Sequence, residues 1–196
     1  MKRLDRKFFE RPTVKVAREL IGKLLVRKMG RKILKVRITE TEAYCGIGDL
    51  ACHASKGLTE RTKVMFGPAG FSYVYMIYGM YHCLNIVTEK EGNPAAVLIR
   101  GAEVSSIKYQ VLRKTKNKSQ SLIHNTKYLI LLNVPGKLCR ELKIDKALNN
   151  VDVTKSDLLW IEDSEVEIKK SQIKKDKRIG VDYAGKWKDK LWHFSL

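Results

Sequence analysis

Residues 71–101, FSYVYMIYGMYHCLNIVTEKEGNPAAVLIRG, decide the fold class. They hold three runs rich in β-branched and aromatic residues, Phe71 to Tyr78, His82 to Thr88 and Ala95 to Gly101, separated by Gly79-Met80 and by Glu91-Gly92-Asn93-Pro94. Branched and aromatic side chains pack well on a pleated surface, while glycine, asparagine and proline supply turn backbone, so each run reads as a strand and each break as a turn. An antiparallel meander is the simplest topology for them.

Upstream, residues 23–28 (KLLVRK), the turn Met29-Gly30-Arg31 and residues 33–44 (ILKVRITETEAY) read as a β-hairpin with a long second strand. Before it, Pro12 followed by Val14, Ala17, Leu20 and Ile21 gives an apolar face at helical spacing, with Gly22 as the stop. Downstream, a short helix is expected near Gly136 to Leu142, a strand near Leu158 to Ile161, and a Lys-rich patch before Arg178-Ile179-Gly180-Val181. No repeat or linker divides the chain. The expected fold is one mixed α/β (α+β) domain over residues 1–196, built on an antiparallel sheet.

The 196 residues are 44% hydrophobic, enough for a buried core, which excludes a disordered tail. Lys and Arg number 39 against 21 Asp and Glu, a net charge of +18 that points to a polyanionic partner, unless the lysines only solvate the surface. From Val104 to Arg140 there are eight basic residues, Lys108, Arg113, Lys114, Lys116, Lys118, Lys127, Lys137 and Arg140, and no acidic one. Such a run is either a solvated face or a phosphate-binding surface. The four cysteines, Cys45, Cys52, Cys83 and Cys139, form no C-x-x-C pair, and the four histidines form no H-E-x-x-H. Reduced thiols are expected, with no metal and no cofactor. Residues 46–51, GIGDLA, fit a G-x-G-x-x-A pattern, but no apolar-periodic helix follows to make a dinucleotide site. Met1 to Glu10 lack an apolar run and no stretch is long enough to span a membrane, so the cytoplasm is the expected compartment.

Two clusters carry chemistry. In the strand 33–44 the even positions Leu34, Val36, Ile38, Glu40, Glu42 and Tyr44 share one face of a regular pleat. This places two carboxylates on an apolar side, where burial raises a carboxyl's pKa toward a useful range for general base or acid work. A bulge that turns them to solvent is the alternative. Alternation cannot choose between Glu40 and Glu42. The second cluster is Phe71, Tyr73, Tyr75, Tyr78 and Tyr81, five aromatics in eleven residues. They fit a sheet core, or a surface that stacks on nucleobases and wedges between base pairs. Tyr78, beside Gly79, has the opposite parity to Tyr73 and Tyr75.

The motifs E-T-E-A-Y at 40–44, the histidine nine residues after that tyrosine, M-F-G-P-x-G at 65–70, Y-V-Y-x-I-Y-G-M-Y at 73–81 and L-I-R at 98–100 occur together and in order. With LDRKFFERPTVKVARELIGKLLVR at 4–27, PGKLCREL at 135–142 and RIGVDYAGKW at 178–187, the chain resembles the alkyladenine (3-methyladenine, methylpurine) DNA glycosylases over nearly its whole length. The resemblance implies a mixed α/β domain with a curved antiparallel sheet, surrounding helices and a protruding β-hairpin that intercalates in DNA. It implies a monofunctional, cofactor-free glycosylase that flips alkylated or deaminated purines out of double-stranded DNA and hydrolyses the N-glycosidic bond, and that acts as a monomer. It matches Glu42 to the general base and Arg100 to the arginine that helps hold the attacking water. Tyr44, His53 and Tyr75 match the base pocket, and Asn85 matches the residue that obstructs the 2-amino group of guanine. Tyr78 matches the intercalating side chain, with Met80 and Tyr81 as groove contacts. Three departures, Glu60 in T-E-R-T, Val134 before Pro135-Gly136 and a chain that stops at Leu196, are expected to affect loop shape and the last strand but not the pocket.

Overall fold

A computed structural model describes residues 1–104, 107–115, 118–126 and 130–196, with side chains described outside 105–130. Helix α1 (Arg6–Phe9) is capped by Asp5, whose carboxylate accepts from the Phe8 amide. Helix α2 (Thr13–Leu20) starts behind Pro12 and buries Val16, Ala17 and Leu20, as its apolar spacing requires. Gly22 then turns the chain with φ 87°, and a Cβ there would lie 2.5 Å from Ile168.

Strands β1 (Leu24–Met29) and β2 (Lys32–Tyr44) form the first hairpin, and β3 (Ser72–Ile77), β4 (Tyr81–Thr88) and β5 (Ala95–Val104) form the expected meander. The two units do not meet in chain order: β2 pairs with β5, so the sheet is not a simple meander. The main sheet adds β8 (Ile130–Leu132) on β5 and β9 (Leu159–Glu162) on β1. At its other side β10 (Lys174–Asp176) pairs with β11 (His193–Ser195), which pairs with β2. The basic run contains two strands that its composition hides, β6 (Ile107–Thr115) and β7 (Lys118–Thr126), paired as a separate ribbon. The side chains of Lys108, Arg113, Lys114, Lys116, Lys118 and Lys127 lie outside the described residues. Helix α3 (Pro135–Glu141) has Pro135 at its start and presents Lys137 and Arg140 to solvent. The described helices are few and short, and none is long and apolar enough to cross a membrane.

Regular alternation fails at one place, and the site depends on it. Ile38 faces Ala102, then β2 takes two steps to Glu40 while β5 takes one to Gly101; β5 then takes two to Ile99 while β2 takes one to Thr41. One extra residue in each strand flips both strands' faces and restores the register. Val36 and Ile38 before the bulges, and Ala43 after them, belong to the aliphatic core, while Thr41 donates its hydroxyl to Ala17 O of α2 at 2.8 Å. Glu40, Glu42 and Tyr44 therefore stand on the face opposite Val36 and Ile38, which corrects the regular-pleat reading. The bulge does not send Glu42 to solvent; its side chain has no accessible surface. Gly101 makes the bulge possible, because a Cβ there would press on Glu40 at 3.0 Å.

Candidate active site

On the flipped face the pairing sets Tyr73 beside Asn85, Asn85 beside Leu98, and Leu98 beside Glu42, with Tyr75 beside Cys83 one step along. These strands form one wall of a cavity of about 750 Å3 lined by Tyr44, His53, Tyr73, Tyr75, Asn85 and Arg100 among others. A volume of that order fits a small-molecule ring system.

The aromatic part of the lining is pinned. His53 Nδ1 lies 2.9 Å from the Tyr73 hydroxyl, and its ring meets Tyr75 edge to face at 4.6 Å. Burial, with Arg61 and Lys56 nearby, lowers the His53 pKa to about 4, so the imidazole is neutral at physiological pH. Burial also pushes the Tyr75 and Tyr44 hydroxyls up, keeping both protonated. The Arg61 guanidinium carbon sits 5.0 Å from the Tyr75 ring centroid, showing that this ring accepts a cation. Asn85 is buried and donates to Tyr73 O at 3.1 Å.

Glu42 lies behind the lining, covered by groups that themselves line the cavity. Its Oε2 accepts from Tyr44 OH at 2.7 Å and its Oε1 from the Ile179 amide at 2.9 Å. Arg100 Nε approaches Oε1 to 3.7 Å, too far for a hydrogen bond, and donates instead to Glu40 Oε1 at 2.8 Å. The same Glu40 oxygen is 2.8 Å from His193 Nε2. Glu40 also has its carboxyl held below the usual range by His193 and Arg100, which outweigh its partial burial. The Ile179 amide is fixed through its neighbour Arg178, whose guanidinium meets both oxygens of Asp49 and stacks 4.9 Å from the Tyr44 ring.

The hairpin between β3 and β4 carries the remaining expected residues. At its tip Tyr78 and Gly79 both have positive φ, 53° and 69°, and the Met80 amide donates to Ile77 O. That pattern belongs to tight hairpin turns, where a tyrosine at positive φ is unusual and costs about 1 kcal/mol or more. The turn projects Tyr78 outward with 82% of its surface exposed, next to Met80 at 67%. Tyr81 packs against Gly136, where even a Cβ would come within 2.9 Å of its ring.

The family profile for methylpurine-DNA glycosylase matches residues 7–196. The chain belongs to the methylpurine-DNA glycosylase family. It is 48% identical over 191 residues to a protein of Methanocella arvoryzae, covering 97% of this chain and 90% of that one. It is 46% identical over 197 residues to a protein of Desulfitobacterium hafniense, with 100% and 96% covered, and 46% identical over 196 residues to one of Legionella pneumophila, with 100% and 95% covered. All three relatives carry 3-methyladenine DNA glycosylase as a provisional name. This methylpurine-DNA glycosylase is thus a monofunctional DNA-repair hydrolase, and its partner is DNA.

The structure of this glycosylase brings Arg100, Tyr44, His53, Tyr75 and Asn85 into the lining of one cavity with Glu42 buried directly behind it, and sets Tyr78, Met80 and Tyr81 on one hairpin, of which Tyr78 and Tyr81 also line the cavity. Two of the three departures prove closer to the pocket than expected. Val134 is exposed and lines the cavity, and the terminal strand β11 delivers His193 beside Glu42. Glu60 is exposed and pairs with Lys63 at 2.7 Å. Sequence reasoning missed Asp49, Arg61, Arg178 and His193. Asp49 sits inside GIGDLA, whose loop uses the carboxylate to bind the Cys45 and Ala51 amides as well as Arg178.

Proposed function

We propose that residues 1–196 act as one glycosylase domain that flips alkylated or deaminated purines, such as 3-methyladenine, out of double-stranded DNA and hydrolyses their N-glycosidic bond. The observation that carries this is the fully buried Glu42 carboxylate set against an aromatic cavity wide enough for one base. A base cannot be attacked at C1′ while stacked, and extrusion costs least where damage has weakened pairing. Tyr44 and Tyr75 sandwich the extruded base, and a cationic methylpurine gains about 0.5–2 kcal/mol per ring face. Neutral His53 offers a hydrogen bond to the base edge, and Asn85 obstructs the 2-amino group of guanine. Tyr78 fills the gap left in the duplex, with Met80 and Tyr81 against the minor groove.

Glu42 takes a proton from a water held beside Arg100 as the water attacks the sugar carbon, and its charge stabilises the oxocarbenium ion that forms as the base departs. The products are free base and an abasic site, the first intermediate of base excision repair. Lys137 lies at the cavity rim, but its Nζ is engaged with Leu131 O at 2.9 Å, consistent with hydrolysis rather than Schiff-base chemistry. One extruded nucleotide needs one active site, so the enzyme works as a monomer, on chromosomal DNA in the cytoplasm. The alternative, a catalytically idle damaged-DNA or RNA-binding module on the same fold, is disfavoured by the intact Glu42, Arg100 and pocket tyrosines. Base release from a panel of duplexes carrying 3-methyladenine, 7-methylguanine, hypoxanthine or ethenoadenine tests the proposal; binding without release of any of them supports the idle module.

A further inference from the structure

Glu40 and Glu42 share a face of β2 and have different partners. Glu42 is bound by two neutral donors, the Tyr44 hydroxyl and the Ile179 amide, whereas the charged donor Arg100 goes to Glu40. An arginine next to a carboxylate normally pairs with it through its planar fork. Arg100 Nε is only 3.7 Å from Glu42 Oε1, so little movement separates the present arrangement from a hydrogen-bonded Arg100–Glu42 pair. Such a pair would make Glu42 a weaker proton acceptor and draw the guanidinium away from the cavity. Glu40 prevents it, and Glu40 is itself braced from the terminal strand, because its Oε1 receives His193 Nε2 as well as Arg100 Nε. The paired bulges and the missing side chain at Gly101 give Glu40 the room to reach both.

We propose that Glu40, held by His193, is a positioning residue for base excision: it anchors Arg100 at the cavity and keeps Glu42 free of a hydrogen-bonded cation. This rests on Glu42 being the general base. Among the described residues the groups facing this cluster include Glu40, Glu42 and Tyr44 of β2, Cys83 of β4, Arg100 of β5, His193 of β11, and Asp176 of β10, which is in register with His193.

The test measures single-turnover release of hypoxanthine from a duplex, affinity for that duplex and melting temperature, for the wild-type chain, Glu40→Gln, Glu40→Asp and His193→Phe. Glu40→Gln is expected to slow release about 10- to 100-fold while affinity stays within about threefold, an effect on the transition state rather than on binding. Glu40→Asp, which keeps the charge, should recover part of the rate. Release by Glu40→Gln within about threefold of wild type, a loss matched by lost affinity, or a Glu40→Asp variant no faster than Glu40→Gln overturns the proposal. Should Glu40→Gln fail to fold, His193→Phe decides: a loss of release without loss of affinity supports the brace, and no change overturns it. A wild type that releases none of the four bases of the lesion panel would instead refute the excision reading itself, and where it releases another of them but not hypoxanthine the same variants are compared on that base, so the two failures are distinct.

Discussion

Arg178 meets Asp49 through two parallel hydrogen bonds, Nη1 to Oδ2 at 2.5 Å and Nη2 to Oδ1 at 2.9 Å, with neither side chain accessible to solvent. The guanidinium also donates to Ala43 O and Trp187 O and lies between the Tyr44 and Trp192 rings, 4.9 and 5.1 Å from their centroids. One buried pair thus ties the GIGDLA loop to the segment whose Ile179 amide binds Glu42, and supports Tyr44, the other donor to that carboxylate.

Asp49→Asn leaves a buried guanidinium without its countercharge, a change that costs about 3–5 kcal/mol. For a chain of this length the melting temperature should fall by roughly 10 °C. Release should drop further than the folded fraction explains, because the Ile179 amide is no longer held on Glu42. Thermal unfolding beside single-turnover release at a temperature where the variant is folded checks both. An unchanged melting temperature would show that the pair contributes little.

Tyr78 is free of the core, so Tyr78→Ser should shift stability by no more than about 0.5 kcal/mol, as for other exposed positions. The loss belongs with DNA. Release of a paired lesion should slow, while release of the same lesion from single-stranded DNA, which needs no wedge, should be nearly unaffected. Equal losses on both substrates, or a large fall in melting temperature, would remove the intercalating role.

One histidine of the site is lowered and one is raised: His53 lines the cavity, and His193 stands behind it against Glu40. Burial puts His53 at about 4, whereas the hydrogen bond to Glu40 raises His193 above its ordinary value of 6.5 despite partial burial. A raised folded-state pKa stabilises fully below pH 6.5, and that contribution is lost as pH rises through the folded value. The melting-temperature gap between wild type and His193→Phe should therefore be constant at acid pH and narrow through the neutral and weakly alkaline range. A gap independent of pH from 5 to 9 would mean that His193 does not carry the charge.

The hairpins and α2 were legible because their signals are local: alternation, turn residues and an apolar stripe at 14, 17 and 20. The pairing of β2 with β5 was not, since nothing local names a partner 60 residues away. The β6 and β7 strands were hidden by lysines, which solvate an extended ribbon as readily as a loop. Counting parity along 33–44 failed at Thr39, as it would along β5 at Arg100, because a bulge changes the face without changing the composition; Gly101 was its trace in the sequence. The glutamates and tyrosines of the pocket stood out as clusters. The residues that hold them did not, because Asp49 and Arg178 are 129 positions apart and Glu40 and His193 are 153 apart. Packing alone joins them.

The central claim is that Glu42 accepts the proton of the attacking water. Glu42→Gln keeps the shape of the side chain, and its one carbonyl oxygen can still accept from the Ile179 amide while its NH2 donates to the Tyr44 hydroxyl, but the amide cannot take a proton from water. The deciding measurement is single-turnover release of hypoxanthine from duplex DNA by this variant, with affinity for the same duplex measured in parallel. The account predicts affinity close to wild type and release slowed by at least about a thousandfold. Release within about tenfold of wild type, with affinity intact, would contradict it.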